Sequence, residues 1–264
     1  MKPLSWEWIA GFFQAEGYAN ANNRGYPKVG LSQLERNGNI VISMLCDFLR
    51  EHHYNPRTHI SKRDNMLCMN LFRREECLRL ATTLLPYLHD ITRQKVSNMF
   101  ALDDIIETQP MTWEFLTGFW EGDGSTANWY QGMTSVFACD FYQKDSLGLL
   151  NTIKTFANRG GSFMEPFHLR ITDSKKENLP IHRKLLEHTR MQYRREQLAK
   201  QILLFEREKI LMTDEQTIIR YRELIEGTIE EHVHNIVRRK EQMIEAIVSK
   251  DVTSEIVESM RRLQ

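Results

Sequence analysis

Two acidic residues occupy the same position in two copies of a repeated segment. Glu16 and Asp123 lie 107 residues apart, and residues 3–17 align with residues 110–124 without a gap. Each copy begins with a serine or threonine that suits a helix N-cap, and the acid falls at the predicted helix end. The last carbonyl groups of a helix lack intrahelical partners and carry partial negative charge. An added carboxylate makes an oxygen-rich pocket, which matches hard cations such as Mg²⁺.

The repeated segment also carries a glycine in the middle of each predicted helix. Glycine there costs about 1 kcal/mol relative to alanine, and one reason to keep it is close approach of another backbone. Packing of the two helices through Gly11 and Gly118 would bring Glu16 and Asp123 side by side. Two carboxylates that share metal ions suit hydrolysis of a phosphodiester. A single carboxylate after a helix would simply be solvated, but the recurrence favours a shared site.

Other features of the repeated segment concern its ends and its core. Gly17 and Gly124 follow the acids and are predicted to adopt the left-handed conformation of a helix C-cap. Aromatic residues in both copies are expected to form a core around the paired helices; they are Trp6, Trp8, Phe12, Phe13, Trp113, Phe115, Phe119 and Trp120.

The stretches that follow each copy are also parallel. Each predicts two strands, a helix, two more strands and a closing helix. In the first unit these include a strand at 26–33, a helix at 40–49, a hairpin of 57–62 and 66–72, and one helical stretch from 75 to about 104. In the second they are strands near 125–130 and 133–142, a helix near 145–157, a hairpin near 161–173 and one long helix near 178–209. We therefore predict units at 1–108 and 109–209, and a helical extension at 210–264 without a counterpart.

Composition limits the protein class. Hydrophobic residues make up 41% and charged residues 27% of 264 residues, as in folded globular proteins. No apolar run is long enough to span a bilayer and the N-terminus lacks a signal-peptide core, so we expect an intracellular protein without a membrane partner. The four cysteines lack C-x-x-C spacing, which argues against zinc. The 35 basic and 35 acidic residues balance, so a polyanion would need a local basic face.

The two segments resemble the LAGLIDADG motif of homing endonucleases. The motif-like sequences are residues 9–17 (IAGFFQAEG) and 116–124 (LTGFWEGDG), and two copies in one chain resemble the pseudo-twofold, single-chain members. Gln33 and Gln143 look like the glutamine that ends the second strand of each family repeat. Residues 84–88, 93–94, 185–186 and 194–197 also look like family sequence, so the resemblance covers about residues 3–205.

The resemblance implies an α+β fold of two αββαββα repeats. Their antiparallel four-stranded sheets would form a saddle over double-stranded DNA. It also implies that Glu16 and Asp123 bind Mg²⁺ together with the backbone carbonyls of Ala15 and Gly122, and that Mn²⁺ or Ca²⁺ can replace Mg²⁺ for binding. Gln33 and Gln143 would lie near the hydrolytic water. A basic residue near the scissile phosphate would be Arg194 or Arg195 in the second repeat. The matching position in the first repeat is Ile91 or Thr92, so one strand is expected to be cut more slowly.

Alternation along the strands predicts which side chains face DNA. Val29 and Leu31 would face the core, which leaves the opposite face for DNA. A solvated strand face is the alternative for these positions. The predicted DNA-facing residues are Tyr26, Lys28, Ser32, His59, Ser61, Arg63 and Asn70 in the first half, and His168, Arg170 and Thr172 in the second.

These features together predict a monomeric, Mg²⁺-dependent, free-standing or intron-encoded endonuclease. It would cut double-stranded DNA at a long asymmetric site and leave short 3′ overhangs. Two alternatives remain. One is an intron maturase that uses the same saddle to hold its host intron RNA, and the other is a DNA-binding protein that does not cleave. Residues 213–264 are expected to pack against the second half or to contact a partner.

Overall fold

The computed structural model describes residues 2–21, 25–61, 65–102, 106–131, 134–158, 161–165, 167–211 and 238. Residues 1–205 form one compact unit, and residues 206–264 form a second. Most of the predicted C-terminal extension lies outside the described residues. Within the described part of the chain, no helix combines the length and the apolar character needed to cross a membrane.

The described residues of the first half form four helices and one sheet, in the predicted order up to the closing helix. Strands β1, β2, β4 and β3 form an antiparallel sheet in that order. The elements are α1 (Trp6–Glu16), β1 (Gly17–Ala21), β2 (Pro27–Leu34), α2 (Glu35–Glu51), β3 (Arg57–Ser61), β4 (Met66–Leu71), α3 (Arg74–Leu84) and α4 (Asp90–Phe100).

The second half repeats this arrangement. Strands β5, β6, β8 and β7 form a second antiparallel sheet with the same connectivity. The elements are α5 (Trp113–Asp123), β5 (Gly124–Gln131), β6 (Thr134–Tyr142), α6 (Leu147–Ala157), β7 (Gly161–Glu165), β8 (His168–Asp173), α7 (Pro180–His188) and α8 (Gln192–Leu211). The predicted α+β class and the two αββαββα-like repeats with antiparallel sheets are therefore confirmed.

The two motif helices, α1 and α5, pack against each other through their glycines. A Cβ on Gly11 would lie 2.0 Å from the carbonyl oxygen of Phe115, and one on Gly118 would lie 2.1 Å from that of Trp8. These distances leave no room for a side chain, so the predicted close approach is confirmed. The predicted N-caps are also present, because Ser5 Oγ accepts the N–H of Trp8 at 3.2 Å and Thr112 Oγ1 accepts that of Phe115 at 3.1 Å.

The single closing helix predicted for each half is wrong, because each half closes with two helices. In the first half the break follows Leu84 and includes Pro86, which cannot donate a helical hydrogen bond. The Gln14 side chain then accepts the N–H of His89 at 3.0 Å. In the second half, the Glu121 carboxylate accepts the N–H groups of Arg190 and Met191 at 2.9 and 2.6 Å. Side chains from the motif helices thus replace helical hydrogen bonds at both breaks.

The predicted left-handed caps at Gly17 and Gly124 are also wrong. Their φ angles are −85° and −101°, so both residues begin the next strand in an extended conformation. Glycine is needed there for space. A Cβ would lie 2.4 Å from the Phe13 ring at Gly17 and 2.1 Å from the Trp120 ring at Gly124.

The hydrophobic core surrounds the paired helices, as the aromatic pattern predicts. Six of the eight predicted aromatic residues are fully buried, and Trp6 and Trp113 pack against them half-buried; the buried six are Trp8, Phe12, Phe13, Phe115, Phe119 and Trp120. Val29 and Leu31 are buried on the core side of the first sheet. The paired helices therefore form a rigid centre from which both sheets start.

Candidate active site and nucleic-acid interface

The two repeated acids emerge together at one end of the paired helices. Glu16 is the last residue of α1, and Asp123 is the last residue of α5. A Cβ on Gly122 would lie 2.5 Å from the Cβ of Ala15 and 3.0 Å from the Cγ of Glu16. The two helix ends are thus in direct contact, and both carboxylates lie beside C-terminal carbonyl groups, as the sequence predicts.

The environment of the two carboxylates favours their protonated forms. Burial, together with the neighbouring charge of Asp123, raises the pKa of Glu16 to about 7, against the opposing effects of the hydrogen bond from Gln33 and the charge of Arg194. Burial also raises the pKa of Asp123 to about 6, against the opposing charge of Arg194. The cause is the poor solvation of neighbouring negative charges. A divalent cation in this position would displace the protons.

The carboxylates alone do not make a complete coordination sphere. Among the described residues, no group of three or more His, Cys, Asp or Glu side chains is arranged to hold a metal ion. Mg²⁺ is commonly held by one or two carboxylates, water and substrate phosphates, so two acids beside helix carbonyls fit this ion. The residues that would hold it are Glu16 and Asp123, with the carbonyls of Ala15 and Gly122.

The two predicted glutamines occupy equivalent positions. Gly17 pairs with Leu31, and Gly124 pairs with Phe141, so Gln33 and Gln143 each lie two residues beyond the partner of a motif glycine. The three-residue difference in their sequence spacing is absorbed by the longer β5–β6 hairpin. Register therefore confirms the equivalence that the sequence indicates.

The two glutamines differ in their hydrogen bonds. Gln33 Nε2 donates to Glu16 Oε1 at 2.8 Å. Gln143 lies just beyond β6, and its side-chain Oε1 is buried without a hydrogen-bond partner in the described part of the chain. The first glutamine orients a carboxylate, and the second presents an unused acceptor.

Arg194 is the basic residue that the structure brings to the carboxylates. Its Nε donates to the Glu121 carbonyl at 3.1 Å, its Nη2 donates to the Gly122 carbonyl at 3.3 Å, and the guanidinium lies 5.0 Å from the centre of the Trp120 ring. Gly122 retains a second lone pair for a cation. Arg195 instead donates to the carbonyl of Thr189 at 3.2 Å, and the structure does not place it beside the acids.

The first half has no basic residue at the position of Arg194. Thr92 is the third residue of α4, and Arg194 is the third residue of α8. Thr92 Oγ1 accepts a hydrogen bond from Gln14 Nε2 at 2.9 Å. Of the two sequence candidates, Ile91 and Thr92, the structure selects Thr92, and the site is therefore charged asymmetrically.

The predicted polar residues of the first sheet share one face, opposite Val29 and Leu31. Strand register places Lys28 and Ser32 on β2, His59 and Ser61 on β3, and Asn70 on β4 on this face. Tyr26 precedes β2 and is exposed. Arg63 lies outside the described residues.

Asn70 is on the predicted face but is completely buried, so its expected exposure to DNA is wrong. Its Oδ1 accepts the O–H of Tyr18 at 2.5 Å, and its Nδ2 lies 3.2 Å from Nδ1 of His59. Asn70 therefore orients its two neighbours. Lys28 lies above the Tyr18 ring, with its ammonium 5.1 Å from the ring centre.

The second sheet carries His168, Arg170 and Thr172 on its corresponding face, as predicted. Thr172 is exposed. Arg170 donates from Nε and Nη2 to the two carboxylate oxygens of Asp140, at 2.7 and 2.9 Å. His168 Nε2 lies 3.1 Å from Asp140 Oδ1, and the His168 ring stacks on Tyr142 with ring centres 4.1 Å apart.

Asp140 stays ionised at the centre of this cluster. Burial raises the pKa of Asp140, but the hydrogen bonds and charges of Arg170 and His168 outweigh burial and hold it below the usual range. Sequence reasoning missed Asp140. Its signal is an acid that alternates with the apolar core positions Phe137, Cys139 and Phe141 along the strand.

Sequence reasoning also missed Glu121. It is fully buried and accepts the indole N–H of Trp8 from the other half at 2.6 Å. Burial raises the pKa of Glu121 to about 7, and hydrogen bonds from Met191, Trp8 and Arg190 oppose the rise. The sequence feature that could have identified Glu121 is its position in the repeat, where it aligns with Gln14. Both residues join the motif helix to the closing helices.

Comparison with known proteins gives structural matches only. No protein-family model matches the sequence, and no curated protein matches it. Several solved structures match over most of the chain. A crystal structure of the LAGLIDADG meganuclease I-AabMI bound to uncleaved DNA has a TM-score of 0.61 and 12% identity, over 85% of this chain and 99% of that one.

Two further structures give the same result. I-SmaMI, bound to an uncleaved DNA target in the presence of calcium ions, has a TM-score of 0.53 and 13% identity, over 83% of this chain and 97% of that one. The LAGLIDADG homing endonuclease I-GzeII, in complex with its DNA target, has a TM-score of 0.52 and 12% identity, over 85% and 99%. The two motif-like segments, the paired helices and the two four-stranded sheets agree with these matches: the chain has the LAGLIDADG homing endonuclease fold.

Proposed function

We propose that this protein is a site-specific endonuclease that hydrolyses both strands of double-stranded DNA with a divalent metal ion. The observation that carries the proposal is the convergence of Glu16 and Asp123 at the ends of the paired helices. The fold supports it, because the similar solved structures were determined with DNA. Mg²⁺ is the proposed ion, with Mn²⁺ or Ca²⁺ as substitutes for binding, since Ca²⁺ is present in one of those structures.

The carboxylates of Glu16 and Asp123 would hold the metal, and the carbonyls of Ala15 and Gly122 would complete the protein's share of the ligands. When bound, a divalent cation supplies Lewis-acid stabilisation of the phosphate and a more acidic water. Gln33 holds Glu16 in one orientation through its 2.8 Å hydrogen bond. The unpartnered Oε1 of Gln143 is suited to accept a hydrogen bond from the attacking water and so to orient it.

Arg194 would stabilise negative charge at the phosphate nearest Asp123. It is anchored by the carbonyls of Glu121 and Gly122 and by the Trp120 ring, so little reorganisation is needed when DNA binds. Thr92 cannot supply charge at the other phosphate. We therefore propose that the two strands are cut at different rates.

The polar faces of the two sheets would contact the DNA. A major groove admits a two-stranded β-ribbon and presents a distinct pattern for each base pair. Because different residues line the two sheets, the target is proposed to be long and asymmetric, and staggered cleavage would leave short 3′ overhangs. Tyr26, Lys28, Ser32, His59, Ser61, His168, Arg170 and Thr172 are the proposed contacts, and Asn70 supports them from below.

One chain supplies both halves of the site, so we propose a monomer. We also propose that it works inside cells, since its four cysteines are all buried thiols. The testing experiment is cleavage of a randomised double-stranded DNA library with Mg²⁺ or with EDTA, followed by sequencing of the cut ends. We expect one Mg²⁺-dependent site of about two helical turns with staggered ends.

Amide variants of the two acids test whether Glu16 and Asp123 are the catalytic metal ligands. We expect Glu16→Gln and Asp123→Asn to keep DNA binding and to lose double-strand cleavage, since a neutral amide binds a divalent metal ion much more weakly than a carboxylate does. Glu51→Gln removes an exposed carboxylate far along α2 and serves as the control. Full cleavage by either site variant would refute the assignment. Binding of a site without cleavage in any divalent metal would favour the non-cleaving DNA-binding protein, and selective binding of intron RNA would favour the maturase.

A further inference from the structure

An acidic side chain lies at the centre of the second sheet, on the face proposed to meet DNA. Asp140 on β6 pairs in register with Arg170 on β8 and with Ser125 on β5. Its side chain is only 3% exposed, while that of Arg170 is 25% exposed. A carboxylate repels phosphate, so Asp140 does not help this surface to attract DNA. Its contact with Arg170 indicates a different role.

The contacts of Arg170 hold its guanidinium in one orientation. Nε and Nη2 bind the two oxygens of Asp140, and these atoms form one edge of the planar group. The guanidinium also lies 5.2 Å from the centre of the Trp129 ring. The second edge, formed by the remaining N–H groups of Nη1 and Nη2, has no hydrogen-bond partner in the described part of the chain and points away from Asp140.

The free edge is a fixed pair of parallel donors. In the major groove, guanine presents O6 and N7 as two adjacent acceptors, and arginine binds them with such a pair. A guanidinium that is already fixed loses little side-chain freedom on binding. The charge of Asp140 largely balances that of Arg170, so the pair adds little to general attraction for phosphate. The pair is therefore suited to base recognition.

The first sheet has no equivalent of this pair. Gln33 and Gln143 correspond, so Gly30 corresponds to Asp140, and Asn70, which pairs with Gly30, corresponds to Arg170. Gly30 has no side chain, and Asn70 is neutral and buried under Tyr18 and His59. Recognition by such a pair is therefore confined to one half of the target.

We propose that Arg170, held in place by Asp140 and Trp129, recognises a guanine in the half of the target that the second sheet contacts. Asp140 acts as a positioning residue. The proposal rests on the proposed function only in that this sheet face must meet DNA, and it does not depend on cleavage.

The test is selection of binding sites from a randomised double-stranded DNA pool by the full-length protein in Ca²⁺. Two variants are compared with the wild type. Arg170→Lys keeps the charge but loses the pair of parallel N–H donors, and Asp140→Asn weakens the contact that holds the Arg170 guanidinium in place. Arg73→Lys is the control, because Arg73 is an exposed arginine at the start of α3. We expect the wild type to require a guanine at one position in one half-site. Both site variants should reduce that preference about 10- to 100-fold and leave the other positions unchanged.

The salt dependence of binding provides a second readout. The double variant Arg170→Gln/Asp140→Asn removes both charges of the pair, and it should leave the slope of log Kd against log salt unchanged, because a base contact releases no phosphate counterion. Uniform weakening across all sequences with a smaller slope would identify a phosphate contact and overturn the proposal. An unchanged preference at every position in Arg170→Lys would overturn it as well.

Two controls separate the possible failures. Thermal melting shows whether Asp140→Asn folds; if it does not, Arg170→Lys alone decides, because its side chain is partly exposed. A wild type that selects a guanine-containing site but never cuts it refutes the nuclease proposal and leaves this one standing. A wild type that selects no sequence refutes both.

Discussion

At the scale of single residues, burial changes the pKa values of the two acids at the centre of the candidate site. Burial raises the pKa of Glu16 to about 7 and that of Asp123 to about 6. The ionised pair therefore destabilises the metal-free protein, and the metal would relieve this strain. Gln33 and Arg194 reduce this cost without removing it, because both pKa values remain raised.

This destabilisation gives a pH-dependent prediction. A carboxyl whose folded pKa is raised binds more protons in the folded state than in the unfolded state, so stability falls as pH rises. For Glu16 the window runs from 4.5 to about 7, and for Asp123 from 3.8 to about 6. In EDTA at pH 8, we expect Glu16→Gln or Asp123→Asn to increase the free energy of unfolding by about 1 to 3 kcal/mol.

Urea unfolding of the metal-free protein at pH 5 and pH 8 measures this effect. The gain should shrink at pH 5, where the wild-type carboxyls are largely protonated, and Glu51→Gln should change little at either pH. A loss of stability in both site variants at pH 8 would contradict the prediction.

At the scale of elements, the contact between α1 and α5 has no room for a side chain. A Cβ on Gly118 would lie 2.1 Å from the Trp8 carbonyl oxygen, which belongs to a helical backbone that cannot move aside. We expect Gly118→Ala to cost about 3 kcal/mol or more in unfolding free energy, despite the better helix propensity of alanine.

Gly161→Ala is the matched control. A Cβ on Gly161 would lie 3.1 Å from Cδ1 of Leu169, 3.4 Å from Cγ1 of Ile171 and 3.5 Å from the carbonyl oxygen of Arg170. The closest neighbour is the end of a flexible side chain, so we expect a cost below about 1 kcal/mol. Equal stability of Gly118→Ala and wild type in urea would show that the helices can separate.

A second element-scale contact joins β8 to α7. Asp173 accepts the N–H of His182 and contacts its ring Nδ1, both at 2.8 Å, and Cys139 Sγ lies 3.7 Å from the same ring nitrogen. The three resemble a nucleophile, base and acid, but the His182 and Asp173 side chains are 0% exposed, and burial raises the pKa of Cys139 well above 9. Substrate has no access, so the role is structural.

We expect Asp173→Ala to destabilise the fold by about 3 kcal/mol, because it leaves a buried imidazole and backbone N–H without an acceptor. Thermal or urea unfolding measures the loss. The Ser162→Ala variant, on exposed β7, serves for comparison and should change stability by less than about 0.5 kcal/mol. Unchanged stability of Asp173→Ala would show that water replaces the carboxylate.

At the scale of the whole molecule, a near-symmetric backbone carries an asymmetric set of side chains. The sheets have the same strand order, and the acids and glutamines are equivalent. Arg194 in the second half corresponds to Thr92 in the first. The Asp140–Arg170 pair of the second sheet corresponds to Gly30 and Asn70 in the first sheet. Cleavage and recognition are therefore expected to differ between the halves.

The catalytic asymmetry is testable once a target is known. With each strand end-labelled separately, we expect one strand to be nicked first. Arg194→Ala should slow the faster strand about 10- to 100-fold, which is the effect of losing one charge-stabilising contact, and should change the slower strand less. Arg195→Ala is the matched control and should leave both rates similar to wild type. Equal slowing of both strands would place Arg194 in a shared role.

The sequence by itself determined the parts of this protein that depend on local pattern and on the repeat. Helix caps, strand alternation and mid-helix glycines identified the paired helices, and the repeat predicted that Glu16 and Asp123 lie side by side. These features were predictable because each depends on residues close in sequence, or on one exact spacing of 107 residues.

Only the tertiary structure decided the rest, because it depends on contacts between distant residues. The Gln14 and Glu121 side chains hold the breaks between the closing helices by accepting backbone N–H groups from about 70 residues away. Asn70 is buried by Tyr18 and His59, which lie on two other strands. The positions of Arg194 near Asp123 and of Arg170 on Asp140 also depend on tertiary packing. Sequence spacing identifies candidate residues, but packing determines which of them contact each other.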